Sequence, residues 1–186
     1  MQGIPDVTVA SAGEYGVRCA YCEEQIVHAS HIEHFRRKNP QHFPELCFDW
    51  DNLFLACGSK DHCGHYKDRS TGEPYNPALL IKPDEHDPEH YLYFHSSGQV
   101  RVRNGLNPDD TLRGNETIRV FGLNSPALVA LRARALRTWT DRTFFDDLLE
   151  ELMSWDDADR QTYLRGEIAA TRWDEYATTI KHFLQN

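Results

Sequence analysis

Two pairs of cysteines constrain the fold of this 186-residue chain more than any other feature. Cys19 and Cys22 form a Cys-x-x-Cys pair, and Cys57 and Cys63 form a second, wider pair. Four thiolates can close a tetrahedral zinc site, which fixes both ends of the segment between the pairs. We therefore expect one structural zinc ion, bound by all four cysteines, to stabilise a segment too short and polar to fold alone.

Cysteine usage and charge balance limit the class of protein. The N-terminal residues lack the basic and apolar runs of a targeting segment, so we expect a cytoplasmic, membrane-free protein with reduced thiols, and Cys47 as a buried free thiol. The net charge is −9, with 29 acidic and 20 basic residues. This charge argues against tight nucleic-acid binding by the chain alone and against a basic zinc-ribbon transcription factor.

The segment from His31 to Phe35, with the sequence His-Ile-Glu-His-Phe, lies between the cysteine pairs. Glu33 is a hard oxygen donor suited to Mg²⁺, and His34 as a neutral imidazole can accept a proton from water. Alternatively, the histidines are ordinary strand residues and Glu33 is a surface charge. The position between two cysteine pairs, followed by Asn52, favours the functional interpretation.

Adjacent side chains on a strand point to opposite faces, so Glu33 and His34 can act on one phosphate only where the strand ends or twists. The loop containing Pro40 and Pro44 agrees with such an ending. A basic run follows the motif. Its members, with one lysine near the second cysteine pair, are candidate nucleic-acid contacts or simply solvated charges: Arg36, Arg37, Lys38 and Lys67.

The pattern along the chain predicts an α+β fold in three parts. Residues 1–18 are an irregular lead-in, residues 19–83 a compact zinc-stabilised core, and residues 84–186 a β-hairpin followed by helices that support the core or dock a partner. The predicted strands cover residues 25–35, 53–56, 91–95, 100–102 and 117–121, and a short helix opens near Gly64.

Three helices are predicted after residue 124. Ser125 and Pro126 mark the start of the first, as an N-cap and a first-turn proline. The second begins near Asp141, and the third covers residues 173–184. The second helix is expected to bury an apolar stripe made of Phe144, Phe145, Leu148, Leu149 and Leu152.

Several motifs together resemble one family. They are Cys19-Ala-Tyr-Cys22, His31-Ile-Glu-His-Phe-Arg36, Asp49-Trp-Asp-Asn-Leu-Phe-Leu-Ala-Cys57 and the segment from Cys63 to Lys67. They resemble the HNH endonucleases with a ββα-metal fold, and more narrowly the PtuB-type HNH subunits of Septu and retron-associated antiphage systems. The resemblance continues through Leu80-Ile-Lys-Pro-Asp84 and Gly122-Leu-Asn124, and so covers most of the chain from residue 19 onward.

This resemblance implies a role for each matching residue. Glu33 takes the place of the first ligand of a catalytic Mg²⁺ or Mn²⁺, His34 that of the general base, and Asn52 that of the asparagine that braces the loop carrying the base. In the family's common form a His or Asn directly follows the second cysteine, whereas this chain has Gly64 there. His65 is the favoured replacement ligand, with His62 or Asp61 as alternatives.

Two functions remain in competition at this stage. The first is a metal-dependent endonuclease that cleaves or nicks nucleic acid, with DNA as the expected substrate, as the effector subunit of an antiphage complex with an ABC-type ATPase. The second is a zinc-stabilised adaptor that has lost catalysis and binds the ATPase. Because an adaptor has no need of both Glu33 and His34, their presence favours the enzyme.

Overall fold

The computed structural model describes residues 17–26 and 29–185, which form an α+β fold of small antiparallel sheets and helices. Most of the predicted lead-in lies outside the described residues. Its last two residues do not follow the prediction, because β1 (Val17–Arg18) pairs with β2 (Gln25–Ile26) and places Val17 opposite Ile26. Among the described helices, none is long and apolar enough to cross a membrane.

The motif lies on a strand, as predicted, but the single strand expected over residues 25–35 does not form. Residues 25–26 belong to β2, and the motif lies on a separate strand with a different partner. β3 (Ser30–His34) pairs antiparallel with β4 (Leu53–Cys57), and Glu33 lies opposite Phe54. Strand alternation buries Glu33 and leaves Ile32 exposed. β3 ends at His34, which agrees with the expected strand ending.

A short helix follows the strand pair and packs against it. α1 (Cys63–Lys67) begins at Cys63, whose φ of 60° is left-handed, and the amide of Cys63 donates to the carbonyl of Phe121 at 2.7 Å. The helix expected near Gly64 is thus confirmed. Its position brings Gly64 and Lys67 to the buried face of β3.

The predicted hairpin is also present. α2 (Pro88–Tyr91) leads into β5 (Leu92–Phe94), which pairs with β6 (Val100–Val102). Gly98 turns the chain with a φ of 87°, and a Cβ there would lie 2.1 Å from the carbonyl oxygen of Val129. Glycine is therefore needed both for the turn and for the close approach of the next helix.

The strand predicted for residues 117–121 is wrong, because this segment ends a helix. α3 (Pro108–Val120) starts at Asn107, whose side chain accepts a hydrogen bond from the amide of Asp110. The β-branched residues that indicated a strand instead recur at helical spacing, and Thr117 and Val120 are buried. An N-cap followed by proline outweighed local β propensity.

In the described residues after 124 there are four helices: α4 (Pro126–Thr143), α5 (Phe145–Ser154), α6 (Asp157–Thr171) and α7 (Ala177–Leu184). α4 begins as predicted. The second helix begins at residue 145 rather than near 141, because Phe144 has a left-handed φ of 50° and separates α4 from α5. The predicted burial of Phe144 and Leu149 is wrong, since they are 72% and 45% exposed.

α6 was not predicted, and the helix predicted for residues 173–184 begins only at Ala177. α6 carries little apolar periodicity to detect. The described part of the chain has two apolar clusters. One joins the cysteines to Phe35, Phe54 and Phe121, and the other joins Trp139 of α4 to Phe145 and Ile180.

Candidate metal centres

The two cysteine pairs meet in the interior. The Sγ atoms of Cys19, Cys22, Cys57 and Cys63 lie within 4.8 Å of one another, and all four side chains are buried. Sulfurs bound to one zinc at about 2.3 Å stand about 3.8 Å apart in a tetrahedron. The Sγ atoms of Cys22 and Cys57 are 3.9 Å apart, so the cluster could hold a zinc ion.

The four thiols of this cluster differ in pKa. The hydrogen bond with Cys19 raises the pKa of Cys22, and burial raises the pKa of Cys63. Hydrogen bonds from Cys19, Cys22 and Cys63 lower the pKa of Cys57 well below its usual range, although burial opposes the shift. A thiolate is the form of cysteine that binds metal.

His62 belongs to the same centre. Its Nδ1 lies 3.2 Å from Sγ of Cys63 and 3.7 Å from Sγ of Cys57, and the ring is buried. With Cys22, Glu24 and Cys57 it forms a second, overlapping group of metal-ligating atoms. Asp61, another candidate ligand for the catalytic ion, is exposed.

Glu33 is held from both sides of its carboxylate. Oε1 lies 2.6 Å from Nζ of Lys67, and Oε2 lies 3.0 Å from Nε2 of His31. Glu33 is 4% exposed, and the side chain of Lys67 is fully buried. Because an isolated buried carboxylate is costly, the ammonium both neutralises and orients Glu33.

Lys67 therefore differs from the solvent-facing phosphate contact expected from the sequence. Burial favours its neutral form, but Glu33, Tyr75 and Asp68 outweigh burial and raise the pKa of Lys67. Its ammonium also donates to the carbonyl oxygen of His34 at 2.9 Å. In this structure, Lys67 binds the motif itself.

His34 is fixed in one tautomer by its surroundings. Its Nε2 lies 3.0 Å from the carbonyl oxygen of Cys47, which can only accept a hydrogen bond. Nε2 therefore carries the proton, and Nδ1 of the neutral ring is an acceptor with no hydrogen-bond partner among residues 17–26 and 29–185. Cys47 is half-buried rather than buried as expected, and its thiol is free.

Asn52 clamps the loop between the two strands. Its Oδ1 accepts from the amide of Arg36 at 2.7 Å, while its Nδ2 donates to the carbonyls of Arg36 at 3.0 Å and Leu46 at 3.2 Å. These bonds join Asn52, which lies just before β4, to Arg36, which lies just after β3, and to Leu46 within the loop. The side chain thus has the contacts expected of a loop brace.

The residues of the basic run differ in exposure and in their partners. Arg36 and Lys38 are exposed. Arg37 instead donates from Nε to Asp68 at 2.8 Å, and its guanidinium lies 4.9 Å from the ring centre of Tyr75.

His31 is the neighbour of Glu33 that sequence reasoning did not assign to the site. It shares the inner face of β3 with Glu33, and it makes the hydrogen bond to Oε2. His65 is exposed, and its ring stacks on that of His31 with the centres 3.9 Å apart and the planes 14° from parallel. Strand alternation alone could have signalled that positions 31 and 33 face the same way.

Comparison with curated proteins gives a distant match. No family model matches the chain. The Septu protein PtuB of Bacillus mycoides (strain KBAB4) is 27% identical over 64% of this chain and 47% of its own length. The chain spans about half the length of this curated relative, and it is distantly related to a Septu-type protein.

Proposed function

We propose that the protein is a metal-dependent HNH endonuclease that cleaves or nicks DNA as an effector subunit of antiphage defence. The observation that carries this proposal is the state of His34. Its Nδ1 is an available proton acceptor at the end of the strand that holds the buried carboxylate of Glu33. The distant relationship to a Septu protein supports the defence role.

Each side chain then has a defined task. Nδ1 of His34 takes the proton from the attacking water, and the carbonyl of Cys47 keeps the ring oriented and stabilises the imidazolium that forms. Oε2 of Glu33 would hold the ion, while Lys67 holds Oε1. When bound, Mg²⁺ or Mn²⁺ supplies charge neutralisation at the phosphoryl and leaving oxygens. Arg36 and Lys38 contact the phosphate backbone.

The cysteine cluster is proposed to hold one structural zinc ion per chain. Zinc bound there would join the turn after β1 to β4 and α1. It would thus hold α1, which carries Lys67, against β4, the strand that pairs with the one carrying Glu33. Elemental analysis of purified protein should give one zinc per chain. A folded protein that lacks zinc would reject the assignment.

The catalytic proposal is tested by plasmid cleavage with Mg²⁺ or Mn²⁺. His34→Ala should reduce the rate by about 10²–10⁴-fold, the usual contribution of a general base. Zinc content and thermal unfolding should remain unchanged, because His34 lies outside the cysteine cluster. His42→Ala removes an exposed loop histidine and should cleave like wild type. Wild-type rates in His34→Ala would overturn the mechanism.

An adaptor without catalysis is the second candidate, and one observation favours it. The ammonium of Lys67 already neutralises Glu33, and the described residues contain no third metal-ligating side chain grouped with His31 and Glu33. Phage protection separates the two functions. An adaptor predicts equal protection by wild type and His34→Ala, whereas a nuclease predicts loss of protection in the variant.

The partner is proposed to be an ABC-type ATPase, docked through residues 84–186. With a net charge of −9 and few exposed basic residues beside Glu33, the isolated chain should bind DNA weakly. Cleavage should therefore rise when the ATPase is added. Tight, salt-resistant DNA binding and specific cleavage by the isolated chain would contradict the need for a partner.

A further inference from the structure

We propose that His31 is the second protein ligand of the catalytic metal and replaces, from β3, the ligand that Gly64 cannot provide from α1. This inference rests on the proposed function for the role of the ion. It concerns the binding of the ion itself, which can be measured without cleavage.

The space beside Gly64 is the first observation. A Cβ built on Gly64 would lie 2.2 Å from Oε2 of Glu33 and 2.8 Å from Nε2 of His31. Real Cβ atoms do not approach other atoms this closely, so any larger residue would displace both side chains. The two potential ligand atoms therefore occupy the space where a side chain at position 64 would project.

The distance between these two atoms is the second observation. Oε2 of Glu33 and Nε2 of His31 are 3.0 Å apart. Adjacent ligands of an octahedral ion with bonds of about 2.1 Å stand about 3.0 Å apart. Lys67 already holds Oε1, which leaves Oε2 as the oxygen that pairs with the imidazole.

The orientation of His31 is the third observation. Nε2 of His31 is the nitrogen that meets Glu33, whereas Nδ1 is buried and has no hydrogen-bond partner among the described residues. When Nε2 binds an ion, its hydrogen bond to Glu33 is replaced and the ring proton lies on Nδ1. The stacked ring of His65 fixes the plane of His31. His65 thus positions the ligand, and water completes the coordination of an ion that usually retains several waters.

Titration of the zinc-loaded protein with Mn²⁺, followed by electron paramagnetic resonance, tests this assignment without DNA. His31→Ala and Glu33→Gln should each weaken the site by more than about 10-fold, since loss of even an outer-shell partner costs about 10–100-fold. His65→Phe keeps an aromatic ring over His31 but removes both nitrogens, and should bind Mn²⁺ nearly as wild type. His90→Ala, in α2, is the matched control for loss of an exposed histidine.

Zinc content and the urea midpoint of each variant establish that the fold is intact. Wild-type Mn²⁺ affinity in folded His31→Ala, its loss in His65→Phe, or the absence of a Glu33-dependent site in wild type would each overturn the assignment. Failure of the proposed nuclease function would give a different experimental result. In that case His31 and Glu33 still govern Mn²⁺ affinity, but no nucleic acid is cleaved with or without the ATPase.

Discussion

At the scale of single residues, the ammonium of Lys67 gives the candidate site a buried cation of its own. Lys67 and Glu33 are both nearly inaccessible to solvent and form a 2.6 Å ion pair. Such a pair contributes little net stability, because desolvation offsets the attraction, but loss of one partner is costly. The pair therefore serves to orient Oε2 of Glu33.

Lys67→Met should lower the free energy of unfolding by about 3–5 kcal/mol, because it leaves the carboxylate of Glu33 buried without its cation. Adding Glu33→Gln to this variant should recover part of the loss, as measured by urea unfolding. Arg142→Met breaks the exposed pair with Asp174 and should change stability by less than about 1 kcal/mol. Equal losses at positions 67 and 142 would show that burial of the first pair has no special cost.

Gly64→Ala provides a second test at this scale. Alanine normally stabilises a helix by about 0.5–1 kcal/mol relative to glycine. At position 64 the added Cβ must displace Glu33, so we expect a loss of about 1–3 kcal/mol, typical of overpacking. Gly166→Ala, in α6, has open space around the new Cβ and should instead be stabilising. Thermal unfolding of the two variants should give shifts of opposite sign.

At the scale of elements, the sequence predicts the positions of the candidate functional residues better than it predicts how the elements pack together. β3, β4, α1 and the hairpin were predicted because cysteine spacing, alternation and turn residues mark them locally. α3 was mistaken for a strand at Thr117, since its N-cap at Asn107 lies ten residues earlier. The burial of Lys67 depends on how α1 packs on β3, which no local pattern records. The contact of His31 with Glu33, in comparison, follows from strand alternation within β3.

The loop between β3 and β4 depends on one side chain. Asn52→Ala removes three hydrogen bonds to Arg36 and Leu46 and should lower stability by about 1–3 kcal/mol. Because this loop carries the carbonyl that orients His34, cleavage should fall more than stability alone explains. Asn39→Ala changes an exposed residue of the same loop and is the control. Rates can be compared at a temperature where all the proteins remain folded.

At the scale of the whole molecule, the C-terminal segment returns to the N-terminal part of the core. The amide of Gln25 donates to Oε1 of Glu175 at 2.9 Å, and the amide of Phe94 donates to Nδ1 of His182 at 2.9 Å. Glu23 also accepts from the amide of Thr178 at 3.1 Å. A variant that lacked residues 140–186 would therefore lose contacts with the core as well as any docking surface, so the deletion would not test docking alone.

Glu89 gives the contact between α2 and α7 a measurable pH dependence. Its carboxylate lies 3.0 Å from Nε2 of His182 and 2.6 Å from Nζ of Lys181, both on α7. The hydrogen bond from His182 is the largest influence on Glu89. With the Lys181 contact it outweighs burial and lowers the pKa of Glu89 to about 2. The ionised carboxylate therefore joins α2 to α7 over most of the acidic pH range.

A carboxylate whose pKa is lower in the folded state than in the unfolded chain stabilises the fold above the unfolded pKa of about 4.3, and loses this effect as the pH falls toward 2. Glu89→Gln should thus be less stable than wild type by about 1–2 kcal/mol at pH 7, after allowance for solvent screening. The difference should shrink steadily between about pH 5 and pH 2. Urea midpoints at several pH values measure it, with Glu150→Gln as an exposed control on α5. A difference between wild type and Glu89→Gln that does not change with pH would mean that α7 is held by packing alone.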